Sequence, residues 1–507
     1  MALGNTPEAF FVLKWKRCFA GRQTSIVSWN TKMENKYKEQ IEFYKKVFTL
    51  ALPIALQSLI TIGVNMLDTM MVGKLGDNAL SATSLANSFI SVFQIFCMGL
   101  GMGASVLVSR YWGIKKSTES EKEKEDAGRA LKQTVCLVLR LNIILATIFA
   151  FATLFIPGLI MKTYTDMQPI IDLGIDYFKW SVLTYYFVGI SLVVTIVLRS
   201  VGQVFYPLIV SIGAFSINLA MNYTFIFGKF GAPRMGVAGA ALGTLIARIF
   251  EFTMIVGYLF IVDKNIGFKI KDMAMKTGSL FWEYVRISIP VLISDGILAL
   301  GTNAVAMVIG HLGETFTAAN AITSVTQQLS NVVISGVSQA GAIVTGITLG
   351  EGDKEKTMKQ GYRFFTLGLF LSALSAFFIF VFSDLIIGFY DNVSPETVQI
   401  AKQLMNAICI VVIFQGTNSI MTKGVLRGGG DTTVLMVADN IMLWILAIPL
   451  GILAGFYFKL SPFWIFICLK SDQIVKMIWA FWRLKSKKWI KKISTQSVKR
   501  SDSGQVA

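Results

Sequence analysis

The chain has 507 residues, of which 54% are hydrophobic and only 15% charged, too few charges to coat a soluble body of that size. Apolar runs of about 18 or more residues, the length that crosses about 30 Å of hydrocarbon, recur along the whole chain. The net charge of +17 would fit nucleic acid if it were gathered on one surface, but the Lys and Arg lie in loops and tails between apolar runs, as topology signals do. The expected fold class is therefore an all-α polytopic membrane protein, with the bilayer as a partner and no nucleic acid. A transmembrane barrel would show short alternating segments instead. The five cysteines (Cys18, Cys97, Cys136, Cys409 and Cys468) have no metal or redox spacing and read as small apolar packers.

Residues 1–32 hold no apolar run long enough for a signal peptide. Met33 is followed by ENKYKEQIEFYKK, a polar helical lead-in, so translation is expected to start there and residues 1–41 to be a disordered or extraneous tail. Candidate spans then cover residues 47–72, 84–111, 131–155, 178–198, 207–227 and 237–262, followed by 281–309, 318–349, 361–382, 401–425, 433–455 and 462–484. This divides the chain into an N-lobe (42–262), a linker (263–280), a C-lobe (281–485) and a basic tail (486–507). One set of loops is rich in Lys and Arg (Lys115 to Arg129, Lys264 to Lys276, Lys354 to Arg363, with Arg199, Lys423 and Arg427), and the opposite set is poor. That bias places both termini, the linker and the tail in the cytoplasm of a plasma-membrane protein.

The sequence repeats. At an offset of 237 residues, Pro53 falls on Pro290, Gly73 on Gly310, Leu75-Gly76 on Leu312-Gly313, Gly99 on Gly336 and Gly113 on Gly350. An even number of helices per repeat returns the chain to its starting side. Two six-helix lobes are expected, related by a pseudo-twofold axis along the membrane normal.

Polar residues inside these runs are the candidate sites. Gln57, Thr61, Asn65 and Asp68 recur at gaps of four, four and three, on one face of the first helix. A carboxylate within a membrane helix is costly and marks a pathway by default, so Asp68 reads as a proton or cation site, the alternative being a solvated helix end. The second helix carries Asn87, Ser91 and Gln94, and the repeat copies this polarity as Ser324, Gln328 and Asn331. These faces fit a central water-filled cavity or hydrogen bonding within each lobe. Asp295 is the C-lobe acid, for coupling or for an ion pair within the lobe; Gln415, Asn418 and Thr422 form a further polar stripe. Asn218 and Asn222 share a face, and Arg248 with Glu251 reads as an internal salt bridge. Asp439 is expected to be solvated near the start of its helix, and LRGGGD (residues 426–431) to be a tight cytoplasmic turn. His311 is expected in an outer loop, with no catalytic constellation around it, and no nucleotide-binding signature is present.

Leu52-Pro53, NMLDTMMVGKLG (residues 65–76), GVAGAALGT (236–244) and VLRGGGDT (425–432) together resemble the multidrug and toxic compound extrusion (MATE) family, in particular its bacterial, firmicute-like members. The resemblance implies a V-shaped pair of six-helix bundles, not an enzyme, that exports cationic amphipathic molecules in exchange for Na⁺ or H⁺, without another cofactor and as a monomer. It implies cation coupling through Asp68 with Asn65, Gln57, Asn218, Asn222 and Thr244. Asn222 stands where DinF-like members have Asp. In the C-lobe, Asp295 lies about a turn before the NorM-like glutamate, and Asn418 replaces an aspartate, so an ion site there, with Gln415 beside it, would lose an anionic ligand. A lipid or lipid-linked oligosaccharide flippase of the same superfamily is the alternative, set back by intramembrane charges that read as mostly acidic; a passive channel would leave the buried acid unexplained.

Overall fold

A computed structural model of the protein describes residues 7–388 and 394–491, with side chains from Tyr37 onward apart from Ser279. The end of the basic tail beyond Lys491 lies outside the described residues. The chain divides into two compact units, Met1–Thr49 and Leu50–Ala507; the second holds both cores and every site described below.

The first helix is Pro7–Gly73, of which Tyr37–Gly73 is long and apolar enough to span a membrane. Residues 7–41, expected as a disordered or extraneous tail, are helical. The further spans of the N-lobe are Asp77–Ser117, Glu121–Phe155, a pair Gln168–Ser181 and Thr184–Ser200 bent by 58°, Phe205–Phe227 and Val237–Val262. Those of the C-lobe are Leu280–His311, Glu314–Gly350, Lys354–Gly388, Pro395–Leu426 and Thr432–Tyr457. Among the described residues ten helices meet the length and hydropathy of a span, and the bent pair makes an eleventh. The twelfth apolar run is two helices, Pro462–Leu469 and Ser471–Lys485. It breaks at Lys470, where the backbone leaves helical geometry and its N–H turns to the carbonyls of Phe466 and Ile467. Lys470, Asp472 and Lys476 also dilute its hydropathy.

Several spans extend further than their apolar runs. The charged stretch expected as a loop after the second helix is helical up to Ser117 and again from Glu121. His311, expected in a loop, ends its helix and bonds the Met307 carbonyl at 2.8 Å. Single wide turns interrupt the late helices at Ile420–Leu426, Met442–Ala447 and Leu453–Tyr457; such turns loosen the backbone ladder locally and are frequent near functional sites.

The repeat is visible in how the lobes meet. A Cβ added to Gly113 would lie 2.2 Å from the Ile347 carbonyl oxygen and 3.0 Å from the Gly350 Cα; one added to Gly350 would lie 2.2 Å from the Arg110 oxygen and 2.9 Å from the Gly113 Cα. Gly113 and Gly350 are partners in the repeat, and so are Ser109 and Gly346, which also touch. Equivalent residues in mutual contact lie beside the pseudo-twofold axis, which therefore runs between the second and eighth helices. Further out the contacts are reciprocal: Gly99 packs on Leu292 of the seventh helix, and its repeat partner Gly336 packs on Ala55 of the first, the partner of Leu292. Each lobe keeps its own apolar core, around Leu107, Leu131 and Val197 in the N-lobe and around Leu404, Ile408 and Leu469 in the C-lobe. Phe377, Phe380 and Trp482 point outward with many other large apolar side chains, the surface a bilayer covers.

Candidate functional site

Asp68 lies one turn before the end of the first helix and is partly buried. Its Oδ1 accepts a hydrogen bond from Asn222 Nδ2 at 2.6 Å. The same amide lies 3.3 Å from Asn218 Oδ1, and Asn218 Nδ2 donates to Thr244 Oγ1 at 3.3 Å. The four residues form a chain from the first helix through the fifth to the sixth. Glycine makes the passage possible: a Cβ at Gly243 would lie 2.2 Å from Asn222 Oδ1. That oxygen is buried and has no donor. A carboxylate and two amide oxygens are hard ligands that suit a proton or a small alkali cation; among the described residues no group of three or more His, Cys, Asp or Glu could hold a metal ion.

Gln57 belongs to a different cluster. It lies three turns earlier on the same helix, about 16 Å from Asp68 at 1.5 Å per residue. Its Nε2 bonds Ser211 Oγ at 2.6 Å and the Pro207 carbonyl at 3.4 Å, and its Oε1 accepts from Arg199. Arg199 also donates to Gln339 Oε1 at 2.7 Å, joining the fourth helix of one lobe to the eighth of the other. The charge pattern read Arg199 as a loop cation. It instead belongs to the last turn of its helix, and its long side chain reaches inward between the lobes.

A cavity of about 340 Å³ opens between these clusters. Of the expected residues, Gln57, Thr61, Gln94 and Asn218 line it, with Arg199, Arg248, Glu251 and Gln339. Arg248 and Glu251 form the expected salt bridge, at 2.6 Å. Asp68, Asn65 and Asn222 are not among the lining residues. Asp68 thus sits behind the wall and connects to the cavity through Asn222 and Asn218. Asn87 accepts from Tyr177 Oη at 3.1 Å, while Ser91 and Ser324 bond carbonyls of their own helices. Gln328 is exposed, and Asn331 accepts from Gln415 at 3.4 Å. The bonds of Asn87 and Asn331 run between helices of one lobe, as the within-lobe alternative expects.

The C-lobe candidates separate. Asp295 pairs with Arg427 at 3.2 Å, the ion pair within the lobe that its sequence position allowed. Arg427, in the stretch expected to be a tight cytoplasmic turn, is buried. Asn418 Nδ2 bonds Gln473 at 2.9 Å, and Gln473 in turn bonds Asp472 at 2.6 Å. Lys476 lies between Asp472 (3.1 Å) and Asp439 (3.4 Å), all three buried. The expectation that Asp439 is solvated is corrected by this pair. The buried Arg427 and Lys476, with the half-buried Arg199 and Arg248 in the cavity wall, likewise correct the reading of the intramembrane charges as mostly acidic. The signal for the missed C-lobe network was in the sequence: Asp472 and Lys476 are an i, i+4 pair inside an apolar run.

The family model MatE matches residues 53–224 and 290–453, one segment in each lobe. A probable multidrug resistance protein NorM of Mesorhizobium japonicum is 24% identical over 450 residues, covering 87% of this chain and 93% of its own. Another from Thermotoga maritima is 25% identical, covering 90% and 95%, and an uncharacterized transporter YisQ of Bacillus subtilis is 24% identical, covering 88% and 95%. Among solved structures, MATE in complex with MaL6 superposes with a TM-score of 0.77 at 18% identity, over 88% of this chain and 97% of that one. A MOP superfamily transporter from Pyrococcus furiosus superposes with a TM-score of 0.76 at 18% identity, over 88% and 96%.

Proposed function

Given that the chain belongs to the MatE family of membrane transporters, we propose that it exports amphipathic organic cations across the plasma membrane in exchange for H⁺ or Na⁺. One observation carries the coupling: Asp68 bonds Asn222, Asn222 bonds Asn218, and Asn218 lines the cavity. An ion that neutralises Asp68 removes the acceptor charge that orients Asn222, and the shared amides transmit the change to the cavity wall.

In this reading Asp68 takes up the ion while the cavity faces outward, which weakens its attraction for a cationic substrate and releases it. The neutralised lobe pair then rocks inward, the ion leaves, and a new substrate binds against the restored charge. Exchange follows only if ion and substrate differ in affinity between the two states. One chain contains both lobes and the cavity, so a monomer suffices. The Lys and Arg bias of the loops supports cytoplasmic termini.

The test is ethidium efflux from proteoliposomes under a Na⁺ gradient and a pH gradient imposed separately. One gradient is expected to drive efflux, and Asp68→Asn to reduce the driven component to the leak rate. Full ion-driven efflux by Asp68→Asn would overturn the assignment. The lipid flippase is the second reading, favoured by the two guanidiniums in the cavity wall. It requires head-group translocation that persists without either gradient, measured with a fluorescent lipid in the same vesicles.

A further inference from the structure

The charged residues lining the cavity are Arg199, Arg248 and Glu251. Glu251 is engaged by Arg248 at 2.6 Å. Arg199 has side-chain amides for partners, Gln339 and Gln57, and among the described residues no carboxylate pairs with it. Its Nε is buried with no acceptor. A guanidinium withdrawn from water against neutral groups is costly, and the cost is offset when a carboxylate enters its fork, which matches two parallel N–H donors. The cavity wall also carries apolar side chains, among them Met98, Met102 and Phe215.

We propose that this cavity contains a subsite for an anionic group, read by Arg199, so that the favoured substrates are zwitterionic amphipaths rather than simple organic cations. The anionic group meets the Arg199 guanidinium, the apolar body lies on Met98, Met102 and Phe215, and the cationic group lies toward Asn218, behind which stands Asp68. The inference rests on the export reading for its biological meaning, but the subsite is a property of binding alone. An anion that takes Arg199 also competes with Gln339, so its arrival bears on a side-chain tie between the lobes.

The test uses purified full-length protein in detergent and two probes that differ only in a carboxylate, Nε-dansyl-lysine and dansylcadaverine. Equilibrium affinity is read from dansyl fluorescence without any ion gradient. The unaltered protein is expected to bind Nε-dansyl-lysine at least about tenfold more tightly, the discrimination that a charged hydrogen bond typically gives. Arg199→Gln should bring the ratio near one, whatever it does to the affinity for dansylcadaverine itself, and Arg199→Lys should keep part of the preference. Arg199→Lys, which keeps the charge but not the fork, decides the matter if Arg199→Gln does not fold. A ratio at or below one in the unaltered protein, or a ratio that the Arg199 variants leave unchanged, overturns the proposal. Failure of both ion gradients to drive efflux would sink the antiport reading and leave this ratio to stand or fall by itself.

Discussion

Two carboxylates in different surroundings show how much depends on a single partner. Asp295 and Arg427 pair at 3.2 Å, with the Arg427 side chain 6% exposed. Asp295→Asn would leave a buried guanidinium without its counter-charge, an expected loss of about 3–5 kcal/mol. Thermal unfolding in detergent should show a large drop for this variant, and the double variant with Arg427→Gln should recover part of it. A double variant no more stable than the single one would show that the pair is not the source of the loss. Asp272, in the linker and outside the membrane, works differently. Burial alone would raise its carboxyl, but the Lys269 N–H at 2.8 Å and the Lys132 ammonium at 3.0 Å prevail and hold it below the ordinary carboxylate range. A carboxyl depressed by folding contributes stability above its unfolded value, about 3.9, and loses it as pH falls through the folded value. The linker should therefore stay docked from pH 7 down to about 5 and become cleavable by pepsin below about 4. Asp272→Asn should remove most of that pH dependence; an unchanged cleavage profile would refute the role of the carboxylate.

Helices in this chain are set as much by what is missing from them as by what they contain. The second and eighth approach so closely at Gly113 and Gly350 that a Cβ on either would strike a backbone oxygen 2.2 Å away. A backbone oxygen cannot rotate aside as a side chain can, so the helices themselves must part. Gly350→Val should reduce ion-driven efflux at least about tenfold, in line with overpacking costs of about 1–3 kcal/mol. Gly257→Ala is the control, because a Cβ there meets nothing within 4 Å, and its efflux should stay near that of the unaltered protein. These glycines were legible in the sequence through the repeat, but their touching was not, since periodicity places a residue on a face without saying what faces it. The bend of the fourth span was also hidden. No Pro or Gly marks Val182 and Leu183, where it occurs, so an apolar run gave a straight helix beginning too late.

At the scale of the molecule, hydropathy and the offset of 237 residues, seen in Pro53 and Pro290, were enough for two six-helix lobes and their axis. The stripe of polar residues on the first helix was equally legible, but as one site. The fold divides it: Asp68 bonds the fifth helix, and Gln57 bonds Arg199 of the fourth. What stayed unread were long side chains that leave the place their backbone occupies, Arg199 and Arg110 above all. Arg110, on the second helix of the N-lobe, donates to the Lys491 carbonyl at 2.7 Å and to the Gly429 carbonyl at 3.1 Å. The Lys491 N–H bonds that same Gly429 carbonyl at 3.1 Å, and Trp489 is fully buried beside it. Thus one N-lobe guanidinium holds together the glycine turn of the C-lobe and the tail residues around Lys491. Rocking of the lobes that opens this end must break both bonds. Hydrogen bonds from a charged donor contribute about 1.5–3 kcal/mol each, so Arg110→Gln should raise the population open at this end by at least about tenfold. Backbone hydrogen exchange in residues 425–431 and 486–491 should quicken accordingly, while exchange in the Leu107 and Leu131 core of the N-lobe stays as it was. Unchanged exchange in both segments would mean that glycine packing along the axis, and not Arg110, keeps this end closed.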